Sequence, residues 1–136
     1  MEKNPSTGRI GRVLNIVLYE EDFLMRTLLR EWLSDAGYRV RLASQGDVQP
    51  IRQADLVIVS VYMPKDAGAK WICDVQAVYP GTPMIAISGQ FRSGIAQDGA
   101  AAQALGVQQV IAKPLVRNDF LKSVRAIIGT STQAIR

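Results

Sequence analysis

Histidine is absent from all 136 residues. Its absence excludes Ser/His/Asp and Cys/His nucleophile systems, imidazole acid-base catalysis, every His-ligated zinc site and a phosphohistidine in this chain. Cysteine occurs once, at Cys73, so there is no internal disulfide and no thiol pair for metal or redox work. No apolar run approaches the length needed to cross a bilayer, and "MEKNPSTGRIGR" lacks the hydrophobic core of a signal peptide. A cytoplasmic location without membrane contact is therefore expected. Charge of one sign is also scarce: 16 Lys and Arg stand against 12 Asp and Glu, a net charge of +4, and the basic residues are scattered. That distribution gives little reason to expect nucleic acid as a partner.

What is present is a 48% hydrophobic chain, long enough to bury a core in one domain without metals or disulfides. Residues 1–12 read as a flexible N-terminal tail, 13–128 as the domain and 129–136 as a C-terminal tail. "VLNIVLY" (13–19) is a β-rich run that ends against Glu20, Glu21 and Asp22. From Phe23 the period changes. Met25, Leu28, Leu29, Trp32, Leu33 and Ala36 share one face of an amphipathic helix, with Asp22 as its N-cap and Gly37 as its stop.

"YRVRLA" (38–43) alternates as an edge strand should, whereas "DLVIVS" (55–60) is nearly continuously apolar, the mark of a central parallel strand covered on both faces. Between them, "SQGDVQPIRQA" predicts a helix that Pro50 keeps short or irregular. "MPKDAG" reads as a turn before a helix with Trp71, Ile72, Val75 and Val78 inward. "MIAIS" (84–88) is a further buried strand. "GQFRSG" lacks the Lys-Ser or Lys-Thr of a phosphate loop and reads as a flexible connection to an Ala-rich helix that stops at Gly106. "VQQVIA" is the last strand, Lys113-Pro114 a break, and 118–128 a terminal helix with Phe120, Leu121, Val124, Ile127 and Ile128 inward.

Five alternations of strand and helix predict an α/β fold, a parallel sheet between helix layers joined by right-handed crossovers. In such folds the functional residues gather at the carboxyl ends of the strands, here Glu20 and Glu21, Ser60, Ser88 and Lys113.

An acid pair, a strand-end residue before an apolar "MP", a strand-end Ser and a Lys-Pro, in that order, resemble the response regulator receiver domain of two-component signalling. The resemblance covers 13–128, and from 55 to 88 the pattern lies on the chain without a gap, including Met63, Pro64, Gly68, Pro80 and Pro83. It implies a flavodoxin-like, doubly wound five-stranded sheet of order 2-1-3-4-5 with helices on both faces. In that family two acids after the first strand and an aspartate after the third hold Mg²⁺, and the aspartate takes a phosphoryl group from a histidine kinase. Glu20 and Glu21 match the acid pair, Ser88 the Ser/Thr of the switch, and Lys113 the lysine. Ser60 falls where the acceptor aspartate should be, and Val110 where the family's switch aromatic should be.

These departures have chemical consequences. A serine hydroxyl is un-ionised at neutral pH, needs a general base to attack phosphorus, and is a poor ligand for a hard cation. Glu20 and Glu21 carry one methylene more than the usual Asp, which sets their carboxylates farther out than an octahedral Mg²⁺ site wants. The sequence thus predicts a degenerate receiver with no aspartyl phosphorylation, no required cofactor and weak Mg²⁺ binding at best. Ser60 is expected to hydrogen-bond Lys113 or Ser88, and Lys113 to pair with Glu20 or Glu21. The expected function is that of a stand-alone module, not an enzyme, acting by contact with a signalling protein such as a histidine kinase or another regulator. Its surface over 95–128 is a candidate homodimer face. Two alternatives stay open: phosphorylation of another carboxylate such as Asp66, and a small flavodoxin-like ligand-binding domain or enzyme.

Overall fold

Runs of β-branched and aliphatic residues form five parallel strands: β1 (Asn15–Tyr19), β2 (Arg39–Ala43), β3 (Leu56–Val61), β4 (Met84–Ser88) and β5 (Gln109–Ala112). The computed structural model describes residues 13–44, 54–61, 65–88, 103 and 106–130. The sheet order is β2-β1-β3-β4-β5, as the sequence predicts. Three helices lie among the described residues: α1 (Phe23–Asp35), α2 (Lys65–Val78) and α3 (Arg117–Ile128). The short helix expected around Pro50, the "GQFRSG" connection and most of the Ala-rich helix lie outside the described residues.

Strand alternation sorts the side chains into two cores. Val17, Tyr19, Val57, Val59, Val61, Met84, Ala86 and Val110 meet Trp71, Ile72 and Val75 of α2. Ile16, Leu18, Leu56, Ile58, Ile85 and Ile87 meet Leu29 and Leu33 of α1 and Phe120, Leu121 and Val124 of α3. Every residue of β3 is buried, because helices cover both of its faces. The Tyr19 and Trp71 rings meet edge to face at 5.5 Å, locking the end of β1 onto α2.

Helix α1 starts and stops where its sequence dictates. The Asp22 carboxylate accepts from the Met25 N–H at 2.8 Å, a cap worth about 1 kcal/mol. At the other end the Gly37 N–H donates to the Ser34 carbonyl and the Tyr38 N–H to the Leu33 carbonyl. That pair of bonds is a Schellman motif, and it requires the left-handed φ of +97° that Gly37 adopts.

Two elements depart from expectation. Helix α2 begins at Lys65, so most of the anticipated "MPKDAG" turn is already helical. Lys65 and Ala67 are good helix formers, and an acid in the first turn suits the helix dipole. Leu28, expected inward, is 38% exposed, while Leu29 and Leu33 carry the contact with the sheet. The Lys113-Pro114 peptide is cis.

Candidate functional site

At the carboxyl edge of the sheet the register brings the predicted residues together. Tyr19 pairs with Val59, so the next residues, Glu20 and Ser60, sit side by side at adjacent strand ends. Val61 pairs with Ser88, and Ser88 with Ala112. Lys113 follows, its backbone N–H donating to the Ser88 carbonyl at 3.2 Å. Glu20, Ser60 and Ser88 are the buried polar residues of this domain's described core.

The glutamates divide. Glu20 keeps the inward parity of Ile16 and Leu18 and its side chain is fully buried, whereas Glu21 turns out to solvent. The Glu20 carboxylate does not reach outward as its extra methylene led one to expect. It curls back, one oxygen accepting from the Asp22 N–H at 3.0 Å and the other standing 3.8 Å from the Lys113 ammonium. A carboxylate without water needs such compensation, and Lys113, with 19% of its side chain exposed, supplies the charge from the rim of the cleft.

Ser60 is 3% exposed, and among the described residues its Oγ has no hydrogen-bond partner. The expected bonds to Lys113 or Ser88 do not form. Pleating explains half of this: Ser60 has the parity of Leu56 and Ile58, on the α1 and α3 side, while Ser88 has that of Met84 and Ala86, on the α2 side. Lys113, for its part, reaches to Glu20. Val110 is buried in the α2-side core.

These donors do not meet the needs of a divalent ion as they stand. A hard cation wants several anionic oxygens. Glu20 already faces an ammonium, Ser60 is neutral, and Glu21 is at the surface. Among the described residues no group of three or more acidic, His or Cys side chains gathers at one place.

Sequence reasoning overlooked a second feature. Phe23 and Leu24, which open α1 directly beyond the acid pair, are 66% and 75% exposed. With Met25 they make three apolar residues in a row, more than one helix face can bury, and that was the available signal. A cleft of about 410 Å³ lies between β5 and the start of α3, walled by Val110, Pro114, Leu115, Val116 and Phe120 with Asp119 beside them. It falls on the 95–128 face, of which 95–102, 104 and 105 lie outside the described residues. Asp66 is in the first turn of α2.

The response regulator receiver domain model matches residues 16–125. The chain belongs to that family. This receiver is 27% identical over 120 residues to the transcriptional regulatory protein CpxR of Klebsiella pneumoniae, spanning 85% of this chain and 50% of that protein. It is 25% identical over 123 residues to the response regulator MprA of Mycolicibacterium vanbaalenii, spanning 88% of this chain and 52% of that protein. The chain thus spans about half the length of these curated relatives. Among solved structures, the non-phosphorylated HemR receiver domain of Leptospira biflexa superposes with a TM-score of 0.68 at 22% identity, over 90% of this chain and 99% of that one. A response regulator of Thermotoga maritima superposes with a TM-score of 0.70 at 18% identity, over 85% of this chain and 98% of that one. The likeness to both establishes the fold. The family is one of signalling modules, and no helix among the described residues is long and apolar enough to cross a membrane.

Proposed function

We propose that this receiver signals by contact rather than by taking a phosphoryl group. The observation that carries the reading is Ser60: a buried, neutral, unpartnered hydroxyl occupies the strand-end position at which the receiver pattern calls for an ionised acceptor. Among the described residues no neighbouring base stands ready to activate it, since the nearby Glu20 carboxylate is turned to Lys113 and to a backbone N–H. With its charge already balanced, the cleft has one resting arrangement and no covalent trigger to leave it.

Function then rests on surface. The partner is a signalling protein such as a histidine kinase or another regulator, and Phe23 and Leu24, beside the exposed Glu21, offer it an apolar anchor with an acidic rim. A second reading, self-association through the 95–128 face, is favoured by the cleft between β5 and α3 and by exposed Val116 on its wall. The deciding experiment exposes the full chain to a small-molecule acyl phosphate with Mg²⁺ and follows intact mass. No phosphoryl adduct is expected. A hydroxylamine-labile adduct on Asp66 or any other carboxylate would overturn the reading. Sedimentation of wild type against Val116→Glu separates the two surfaces, because only self-association through the cleft is sensitive to that change.

A further inference from the structure

Strand β2 ends the sheet, pairing with β1 on one side, in parallel, with Arg39 opposite Asn15 and Arg41 opposite Val17. The Arg39 N–H donates to the Leu14 carbonyl at 2.9 Å. Backbone groups along a strand point alternately to its two sides, so Arg39 and Arg41 turn theirs to β1 while Val40 and Leu42 turn theirs away from the sheet. Among the described residues those outward groups meet no hydrogen-bond partner. The side chains sort with equal regularity. Arg39 and Arg41 are exposed on the face that carries Val17, and neither guanidinium is paired with a carboxylate among the described residues. Val40 and Leu42 lie on the face that carries Ile16 and Leu18, Val40 half-buried and Leu42 37% exposed. A strand laid against this edge thus meets two cations on one face and two aliphatic side chains on the other.

The charges decide what that strand can be. A second copy of β2, hydrogen-bonded through its own Val40 and Leu42, would set arginine against arginine, and like charges facing each other across a strand pair destabilise it. Carboxylates at the same places are attracted instead. We infer that the outer edge of β2 is a docking site for an extended acidic segment of a partner protein, one that alternates carboxylate and aliphatic side chains. Its backbone bonds the Val40 and Leu42 peptide groups as an added strand, its carboxylates face Arg39 and Arg41, and its aliphatic side chains cover Leu42. The edge is five residues long, so the contact is weak and reversible. It lies apart from Phe23 and Leu24 in the sequence and stands whether or not the receiver takes a phosphoryl group.

The full chain is titrated with the capped peptide Glu-Val-Glu-Val-Glu, and NMR follows the backbone amides and their hydrogen exchange. Binding should saturate, and exchange should slow at the Val40 and Leu42 N–H groups. The block peptide Glu-Glu-Glu-Val-Val, of the same composition and charge, and Lys-Val-Lys-Val-Lys should each bind at least about tenfold more weakly, the first because it breaks the alternation and the second because it repels both arginines. In Arg41→Glu the preference between the acidic and basic alternating peptides should narrow or reverse. Equal binding of the alternating and block peptides would reduce the effect to bulk charge and overturn the inference, as would an unchanged preference in Arg41→Glu or shifts centred away from β2. Protection at Val40 and Leu42 that grows with protein concentration in the absence of peptide would make a second copy the occupant and overturn it equally.

Discussion

The two ends of the sheet are built to different standards. At the amino ends of the strands polar groups are closely paired: the Asn15 N–H donates to the Asp55 carboxylate at 2.7 Å, the Asp55 N–H to the Asn15 carbonyl at 2.7 Å, and the Tyr38 hydroxyl to the Gly129 carbonyl at 2.6 Å. At the carboxyl ends the Glu20 and Lys113 charges stand 3.8 Å apart and the Ser60 hydroxyl is unpaired. Buried polar groups are normally satisfied, so an unsatisfied one marks a place where the fold was not shaped for stability alone. The amino end holds the domain together. The carboxyl end gathers a buried carboxylate, a rim ammonium and an unpaired hydroxyl in one cleft.

Removing the Lys113 charge should produce the largest effect at the carboxyl end. Lys113→Met leaves Glu20 buried without its counter-charge, a loss of about 3 kcal/mol for breaking one half of a buried pair. Equilibrium urea unfolding reads it. In the Glu20→Gln, Lys113→Met double variant much of the loss should return, because the uncompensated charge has gone too. If the double variant is as unstable as the sum of the singles, the pair is not what balances this end of the sheet.

Two hydroxyl deletions, one at each end, should then have opposite signs. Tyr38→Phe removes a bonded hydroxyl and strands the Gly129 carbonyl, costing about 1 kcal/mol. Ser60→Ala removes a hydroxyl that was dried without a bond, so urea midpoints should rise by the equivalent of up to about 1 kcal/mol. If this receiver signals by contact as proposed, the same variant should bind partners as wild type does. A loss of stability in Ser60→Ala would mean that the hydroxyl has a bridging water for a partner, and the contrast between the ends would shrink.

Much of this was legible in the sequence because the signals were local. The unbroken apolar run of β3, the Asp22 cap and the Gly37 stop each specify geometry within a few residues, and all appear in the structure; β2 lies at the sheet edge and is the wetter strand as expected, but its alternation breaks at exposed Leu42 and buried Ala43. The choice between Glu20 and Glu21 as the partner of Lys113 was within reach too. Continuing the alternation of Ile16 and Leu18 by one step turns Glu20 inward and Glu21 outward. Ser60 was harder. Whether it meets Ser88 depends on the β3–β4 register, which offsets the two serines by one residue and sends them to opposite faces. Leu28 was misjudged because a six-position stripe is wider than the contact α1 makes near the sheet edge, where Leu29 and Leu33 suffice. The helix start at Lys65 was obscured by Gly68, which reads as a turn residue yet is buried within the helix.

The smallest expected effect appears only in alkali and sharpens the amino end of the comparison. Burial pushes the Tyr38 phenol above its ordinary value of 10.0, and the Arg125 charge offsets only part of that rise. The folded state therefore holds the phenolic proton more tightly than the unfolded chain does. Tyr38 contributes its stabilisation in full below pH 10.0, and loses it as the pH climbs through the raised folded-state value. Above pH 10.0 the unfolded chain binds fewer protons at this site, so stability falls with pH in wild type and lacks this slope in Tyr38→Phe. Urea midpoints of the two proteins should accordingly converge between neutral pH and strong alkali, with wild type the more stable at the start. The Ser60→Ala difference has no titrating group behind it and should stay level over the same range. Parallel pH profiles for wild type and Tyr38→Phe would show that the phenol is not desolvated by the fold, and the amino end would lose its claim to be the more tightly built of the two.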